Sequence, residues 1–367
     1  AKIADLGPGK TMEIEYPVDT SLRPDRYALA VNVNLTGPKP LEIEESFPMT
    51  VVPRRPPQFP VVMWGVGSPS AVLKETDRLR EIGFTHVLGL GADYGRIWDA
   101  GKPTEAGSPE RVAEARAMLD EALASGLTIV ASLSPGSAME SKPELLRVDR
   151  QGTPRKKAEV CGLVPPLAEY CGNVGASVAQ SYGGFPAFQA ALVHTEVRDG
   201  AQLCFHPQDV EAFRKAEGID IPPEASSKSG VNYLKLQGFP ESRVIPDDHP
   251  LYRYYRWYWK AGDGWNGLNT AVTRGLKSTG RKDFWTWHDP AVRVASVYGS
   301  GGEVDAISQW TYSYPDPIRI GLATDELLAM AAGAGRKQDV MKMTQIIWYR
   351  SQTAPEAKPG GARPAFQ

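Results

Sequence analysis

The stretch 188-FQAALVHTEVRDG-200 is apolar until it ends in His194, Thr195, Glu196, Arg198 and Asp199. A carboxyl group in that place can pass a proton to a reacting oxygen and take it back, if its surroundings keep it protonated near neutral pH. A charge that merely ends a strand in solvent would look the same. Other apolar runs end similarly. 61-VVMWGVG-67 carries Trp64, 85-THVLGLGA-92 is followed by Asp93 and Tyr94, and 127-LTIVASLSP-135 contains Ser132 and Ser134. 283-DFWTWHD-289 holds Trp285, Trp287, His288 and Asp289. 303-EVDAISQWTY-312 holds Gln309, Trp310 and Tyr312, with Tyr314 just beyond, and 339-DVMKMTQIIWYR-350 holds Gln345, Trp348, Tyr349 and Arg350. Aromatics, carboxylates, amides and hydroxyls are what a saccharide needs, since sugars offer hydroxyls to hydrogen-bond and C–H faces to stack. Most of the 9 tryptophans and 14 tyrosines must nonetheless fill cores.

These strand ends need elements to position them. From residue 60 the pattern is strand, loop, helix, repeated. 70-SAVLKETDRLREIGF-84 is amphipathic, with Val72, Thr76, Leu79 and Ile82 on one face. 108-SPERVAEARAMLDEALASG-126 has Ser108 as N-cap, Pro109 at the first helical position and Gly126 as its stop. Further helices are expected near 168–182, over 207-PQDVEAFRKAEG-218, over 250-PLYRYYRWYWKAGDGWNGLNTAVTRGLKSTG-280 and over 323-ATDELLAMAAGAG-335, with an insertion rich in Ser, Pro and Gly at about 219–248. Seven strand–helix units in one direction predict a parallel sheet, and a closed (β/α)8 TIM-type barrel fits best, its eighth strand not evident. The alternative is a doubly wound open sheet, but no G-x-G-x-x-G loop follows a strand. Residues 1–58 read as the end of an Ig-like β-sandwich: 11-TMEIEYPVD-19 and 27-YALAVNVNL-35 alternate with period two, and 44-EESFPMTVVP-53 is a further strand. 52-VPRRPPQFP-60 reads as a stiff linker, so the barrel domain runs from 59 to 367.

Composition narrows the function classes. The formal net charge of -2 leaves no surplus of Lys and Arg for phosphate backbones, so no nucleic-acid partner is expected. No apolar run approaches the ~18 residues of a membrane span. The chain starts at Ala1 without Met and reads as a mature form or a piece of a longer protein. Three cysteines make no disulfide framework; Cys161 and Cys171 either pair across a loop or stay free. Cys204-Phe-His206 looks like a metal-ligand pair, but a zinc site takes about four ligands. No metal and no cofactor is therefore expected.

The ordered motifs carry a resemblance. Residues 145–214 resemble the clan A glycoside hydrolases, and most of all the family 42 β-galactosidase barrels. 145-LLRVDRQGTP-154 is similar to their loop after strand three. 161-CGLVPPLAEYCGNVGASVAQSYGGFPAFQAALVHTE-196 is similar to the run that ends in their Asn-Glu. 203-LCFHPQDVEAFRKAEGI-219 resembles the Cys-rich loop and helix that follow, and 304-VDAISQWTYSYPDP-317 their sixth strand. The likeness extends loosely over 60–350. It implies a carbohydrate substrate, hydrolysis of a glycosidic bond, and Glu196 as general acid/base at the end of strand four. Such a reaction needs a second carboxyl group, about 5–5.5 Å away for retention or ~6.5–9.5 Å for inversion.

Three departures stand out. Thr195 occupies the place where the clan carries Asn. The strand-seven nucleophile is missing, the nearest position being Thr344-Gln345. The cysteine cluster is reduced to Cys204 and His206. Asp289, Glu356 and Asp93 are the candidates for the second carboxyl, Asp289 foremost. Trp64, Asp93, Tyr94, His194, Thr195, Trp285, Trp287, His288, Trp310 and Tyr314 are the candidate substrate contacts. A carbohydrate-binding barrel without catalysis is the second class of function. A metal-dependent hydrolase is disfavoured because no H-x-H or H-E-x-x-H is present. The sandwich-plus-barrel layout suggests an extracellular or periplasmic home.

Overall fold

The computed structural model describes residues 9–13, 15, 22–36, 39–53, 58–64, 71, 73–155, 160–195, 202–226, 241–242, 244–289, 301–311 and 317–344. The chain divides into two compact units, Ala1–Phe59 and Pro60–Gln367.

In the first unit β1 (Asp25–Leu35) and β2 (Leu41–Val51) form an antiparallel pair, in register from Asp25↔Val51 to Leu35↔Leu41. That register sets Leu29 opposite Phe47 and Val33 opposite Ile43, so the alternation gathers apolar side chains on one face. A sandwich needs a second sheet packed on that face. Among the described residues of this unit there is only this two-stranded sheet, and residues 11–13 and 15 of the expected first strand are not in a strand.

The second unit is built on seven strands, β3 (Val62–Met63), β4 (His86–Leu90), β5 (Thr128–Leu133), β6 (Phe188–Val193), β7 (Trp285–His288), β8 (Ala306–Thr311) and β9 (Asp339–Thr344). They pair in sequence order, every neighbour parallel. The sheet is curled. His86 on β4 meets Trp285 on β7 at 5.9 Å between ring centroids, and Trp64 after β3 meets Trp310 on β8 at 6.4 Å. In a flat sheet, strands three and five places apart would lie roughly 14 and 24 Å away. A TIM-type barrel wall accounts for these contacts, with seven strands among the described residues.

Alternation along the strands separates two cores. Trp285, Trp287, Val130, Leu192 and Trp64 cluster inside the curl, while Val87, Ile129, Ala131, Leu133 and Val193 join the core under the helices. The helices are α1 (Thr76–Ile82), α2 (Tyr94–Ala100), α3 (Pro109–Ser125), α4 (Pro135–Ala138), α5 (Pro165–Tyr182), α6 (Pro207–Glu217), α7 (Pro250–Lys260), α8 (Asn266–Leu276) and α9 (Pro317–Ala332), of which α6 and α7 share a separate, largely aromatic core with Phe213, Leu251, Tyr254 and Trp257. The α3 caps are as expected: Ser108 Oγ accepts from Arg111 N at 3.4 Å, and Gly126 closes the helix with φ 85°.

Several helices differ from expectation: α4 lies where a loop was expected, and α9 begins at Pro317 rather than Ala323. The short α2 is not foreshadowed by any long periodic run. The aromatic helix expected over 250–280 is two helices, α7 and α8, separated at Ala261–Trp265. The break has a packing cause. A Cβ on Gly262 would lie 2.7 Å from the Trp257 ring, and one on Gly264 would lie 2.7 Å from the Trp259 Cα. Only glycine lets the chain fold back this tightly over its own helix, and the turn carries Asp263 inward.

Candidate active site at the strand ends

The fourth strand of the barrel, β6, is apolar except for Gln189 and ends by turning. His194 N donates to Leu133 O at 2.7 Å, extending the pairing with β5, and then His194 adopts φ 51°. Its imidazole is fully buried. Nε2 accepts from Gly136 N at 3.3 Å. A backbone N–H can only donate, so the ring proton sits on Nδ1, which donates to Asn269 Oδ1 at 2.8 Å. Thr195 follows, half-buried, and its Oγ1 is buried with no hydrogen-bond partner among the described residues. Glu196 and Tyr314 lie outside the described residues, as do Tyr312, Gln345, Trp348, Tyr349, Arg350 and Glu356.

On the neighbouring strand, Ala190↔Trp285 through Leu192↔Trp287 fixes the β6–β7 register. Continued two residues, it sets Asp289 level with His194. Asp289 is 1% exposed, a carboxyl group held at the strand end away from bulk water. His288 is also buried, with its Nδ1 donating to Val193 O at 3.0 Å.

The remaining expected contacts fall into two groups. Trp64, Trp285, Trp287 and Trp310 line the inside of the curl, Trp285 and Trp287 with centroids 5.1 Å apart. Asp93 and Tyr94 sit at the end of β4 and are already engaged. Asp93 Oδ1 caps α2 by accepting from Arg96 N at 3.1 Å. Tyr94 Oη accepts from Ser134 N at 2.9 Å, bridging to the end of β5, and burial raises its phenol above the usual range. Nothing in the local pattern pointed to Trp265 or Asn269, which come from a helix start yet touch His194 directly.

All three cysteines are free and buried, so the open choice at Cys161 and Cys171 falls to the unpaired form. Cys161 and Cys204 lie in a cluster with His206 and Asp209, the four ligand atoms all within 4.8 Å of one another. Cys161 Sγ donates to Asp209 Oδ2 at 3.2 Å, and Cys204 Sγ and His206 Nδ1 are 2.9 Å apart. Burial, with the charge of Asp263, pushes Asp209 up to about 7. Two sulfurs, an imidazole and a carboxylate form a donor set that suits zinc. Where two ligands were expected, the fold assembles four. A metal held by Cys161, Cys204, His206 and Asp209 would tie the loop before α5 to the start of α6.

Beside this cluster runs a buried ion pair. Arg147 Nε and Asp263 Oδ2 are 2.5 Å apart, both side chains almost fully buried, and Gly162 N also donates to Asp263. Burial raises the Asp263 carboxyl, while Arg147 and Gly162 oppose it. Donors converging on both oxygens are the surroundings of a carboxylate, and the pair is read as ionised.

No protein-family model matches the chain, and no curated protein does. Among solved structures, the chain is similar to a β-galactosidase from Rahnella sp. R3, at TM-score 0.46 and 15% identity over 69% of this chain and 39% of that one. It is similar to a β-N-acetylhexosaminidase from Bacteroides fragilis at TM-score 0.39 and 15% identity, over 75% and 46%. A broad specificity endoglucanase from Clostridium longisporum gives TM-score 0.36 and 9% identity, over 75% and 65%. These neighbours are glycoside hydrolases, and the chain spans less than half the length of the first two. With TM-scores below 0.5 and identities this low, no residue correspondence is drawn from them.

Proposed function

We propose that the chain is a glycoside hydrolase that cleaves a glycosidic bond in an oligo- or polysaccharide, with Glu196 as its general acid/base. The observation that carries this reading is Thr195. It precedes Glu196 at the end of the fourth barrel strand, and its buried hydroxyl has no partner among the described residues. A buried polar atom without a partner calls for one, and a sugar hydroxyl bound beside the reacting carbon would supply it. Glu196 donates a proton to the glycosidic oxygen as the bond to the sugar carbon breaks. On the retaining route the second carboxylate takes the sugar carbon, and Glu196 then takes the proton of the water that breaks that ester; on the inverting route the second carboxylate takes the water's proton in a single displacement. Asp289 is the second carboxyl, as nucleophile or as the base that activates water according to its separation from Glu196. The aromatic lining of the curl provides stacking faces, with β-galactosides the first substrates to try and an extracellular or periplasmic setting the natural one.

A panel of aryl glycosides tests the reading. The wild type should turn over at least one member, and Glu196→Gln should lower kcat/KM by roughly 100-fold or more on members with poor leaving groups. Equal turnover by the two proteins on every active substrate removes Glu196 from the mechanism. A second reading, a carbohydrate-binding barrel without catalysis, is favoured by β9, whose described residues Asp339–Thr344 carry no carboxyl after Asp339. In that case saccharides bind, and neither protein hydrolyses any of them.

A further inference from the structure

We propose that Trp265 is a positioning residue for the acid/base end of β6, acting through His194; the inference rests on the reading of Glu196 given above. Among the described residues, the non-glycine positions with positive φ are His194 at 51° and Trp265 at 67°. Such a conformation is disfavoured for a bulky side chain and persists only where its surroundings enforce it. The two residues touch each other, with ring centroids 5.0 Å apart at an angle of 65°.

The surroundings that enforce both can be named. The Trp265 indole donates from Nε1 to Val160 O at 3.1 Å, and the Arg147 guanidinium lies 5.5 Å from its ring centroid. Two glycines make room for the ring: a Cβ on Gly136 would come within 2.8 Å of it, and one on Gly162 within 2.9 Å. Gly136 also supplies the N–H that holds His194 Nε2, and Asn269, whose N–H is bonded to Trp265 O at 2.9 Å, holds Nδ1. His194 is thus gripped by a ring face and a hydrogen bond at each nitrogen. Its backbone angle sets the direction in which the chain leaves β6 toward Thr195. Catalysis is sensitive to displacements of about an ångström, so a grip on His194, two residues before Glu196 in the sequence, bears on where the acid is presented.

The test separates positioning from general damage by leaving group. A good leaving group, 2,4-dinitrophenolate, departs without protonation, whereas a poor one, such as 4-methoxyphenolate, needs the acid. On glycosides of whichever sugar the wild type cleaves, kcat/KM is measured for Trp265→Phe, for Gly136→Ala, which pushes a methyl group against the indole, and for Glu196→Gln as reference. Glu196→Gln should lose roughly 100-fold on the methoxyphenyl glycoside and only a few-fold on the dinitrophenyl one. Trp265→Phe and Gly136→Ala should each lose about tenfold on the first and less than twofold on the second. Thermal melts confirm that the protein assayed is folded. If Glu196→Gln shows the split and both other variants lose equally on the two substrates, or lose on neither, Trp265 has no positioning role. If Glu196→Gln shows no split, the reading of Glu196 fails, and this inference falls with it by a different pattern.

Discussion

At the scale of single residues, Thr195 and His86 show how unmet or buried polar atoms become measurable. Thr195→Val keeps the shape and removes a buried hydroxyl that has no partner among the described residues. Folding stability should stay level or rise by up to about 1 kcal/mol, because an unsatisfied group is lost rather than a bond. If the hydroxyl binds sugar, kcat/KM should fall about tenfold; an unchanged value would leave it without that role. His86 lies inside the curl against Trp285, and burial lowers its imidazole from 6.5 to about 4. The folded state thus holds it neutral where the unfolded chain would protonate it. Its contribution is complete above pH 6.5 and is lost as the pH falls from there to about 4. By pH 4.5 the loss is about 2–3 kcal/mol. His86→Leu should flatten the acid side of a urea-midpoint-against-pH curve by about that amount, and an unchanged curve would place the titration elsewhere. The residue types at the strand ends were legible from apolar runs that stop at polar residues. What each side chain was already doing was not: the cap made by Asp93 and the two engaged nitrogens of His194 depend on Arg96, Gly136 and Asn269, the last of these 75 residues away.

At the scale of elements, glycines decide how helices meet. A Cβ on Gly175 of α5 would fall 2.3 Å from Val272 O of α8, and one on Gly275 equally close to Gly172 O. Gly175→Ala should therefore cost about 1–3 kcal/mol in chemical denaturation by forcing the two helices apart; a neutral result would mean that the pair yields freely. The break between α7 and α8 was written in Ala261-Gly-Asp-Gly-Trp265, but the continuing aromatic pattern disguised it as one helix. The thiol cluster was half legible. Cys204 and His206 stand together in the chain, Asp209 follows one turn into α6, and only the fold brings Cys161 to them. Protein prepared with zinc present should carry about one zinc per chain by elemental analysis. Cys161→Ser and Asp209→Asn should each reduce that content sharply, and a chelator should lower the melting temperature of the wild type but not of the variants. Wild-type protein free of metal after such preparation would contradict the assignment.

At the scale of the molecule, the alternation of apolar runs with amphipathic stretches was enough to anticipate seven parallel strands in sequence order, because strands buried on both faces read as short continuous hydrophobic runs. The β-sandwich was less legible: period two in residues 27–35 marks a strand but does not say how many neighbours it has, and the described residues form one antiparallel pair. The proposal that the β6 end of this barrel carries the acid/base of a glycosidase is put to the test most directly by hydrolysis of aryl glycosides with Glu196→Gln beside the wild type. Measurable turnover by the wild type is expected, with a loss in the variant of roughly 100-fold or more on poor leaving groups and only a few-fold on good ones. Turnover that is the same in both proteins across the panel would contradict it.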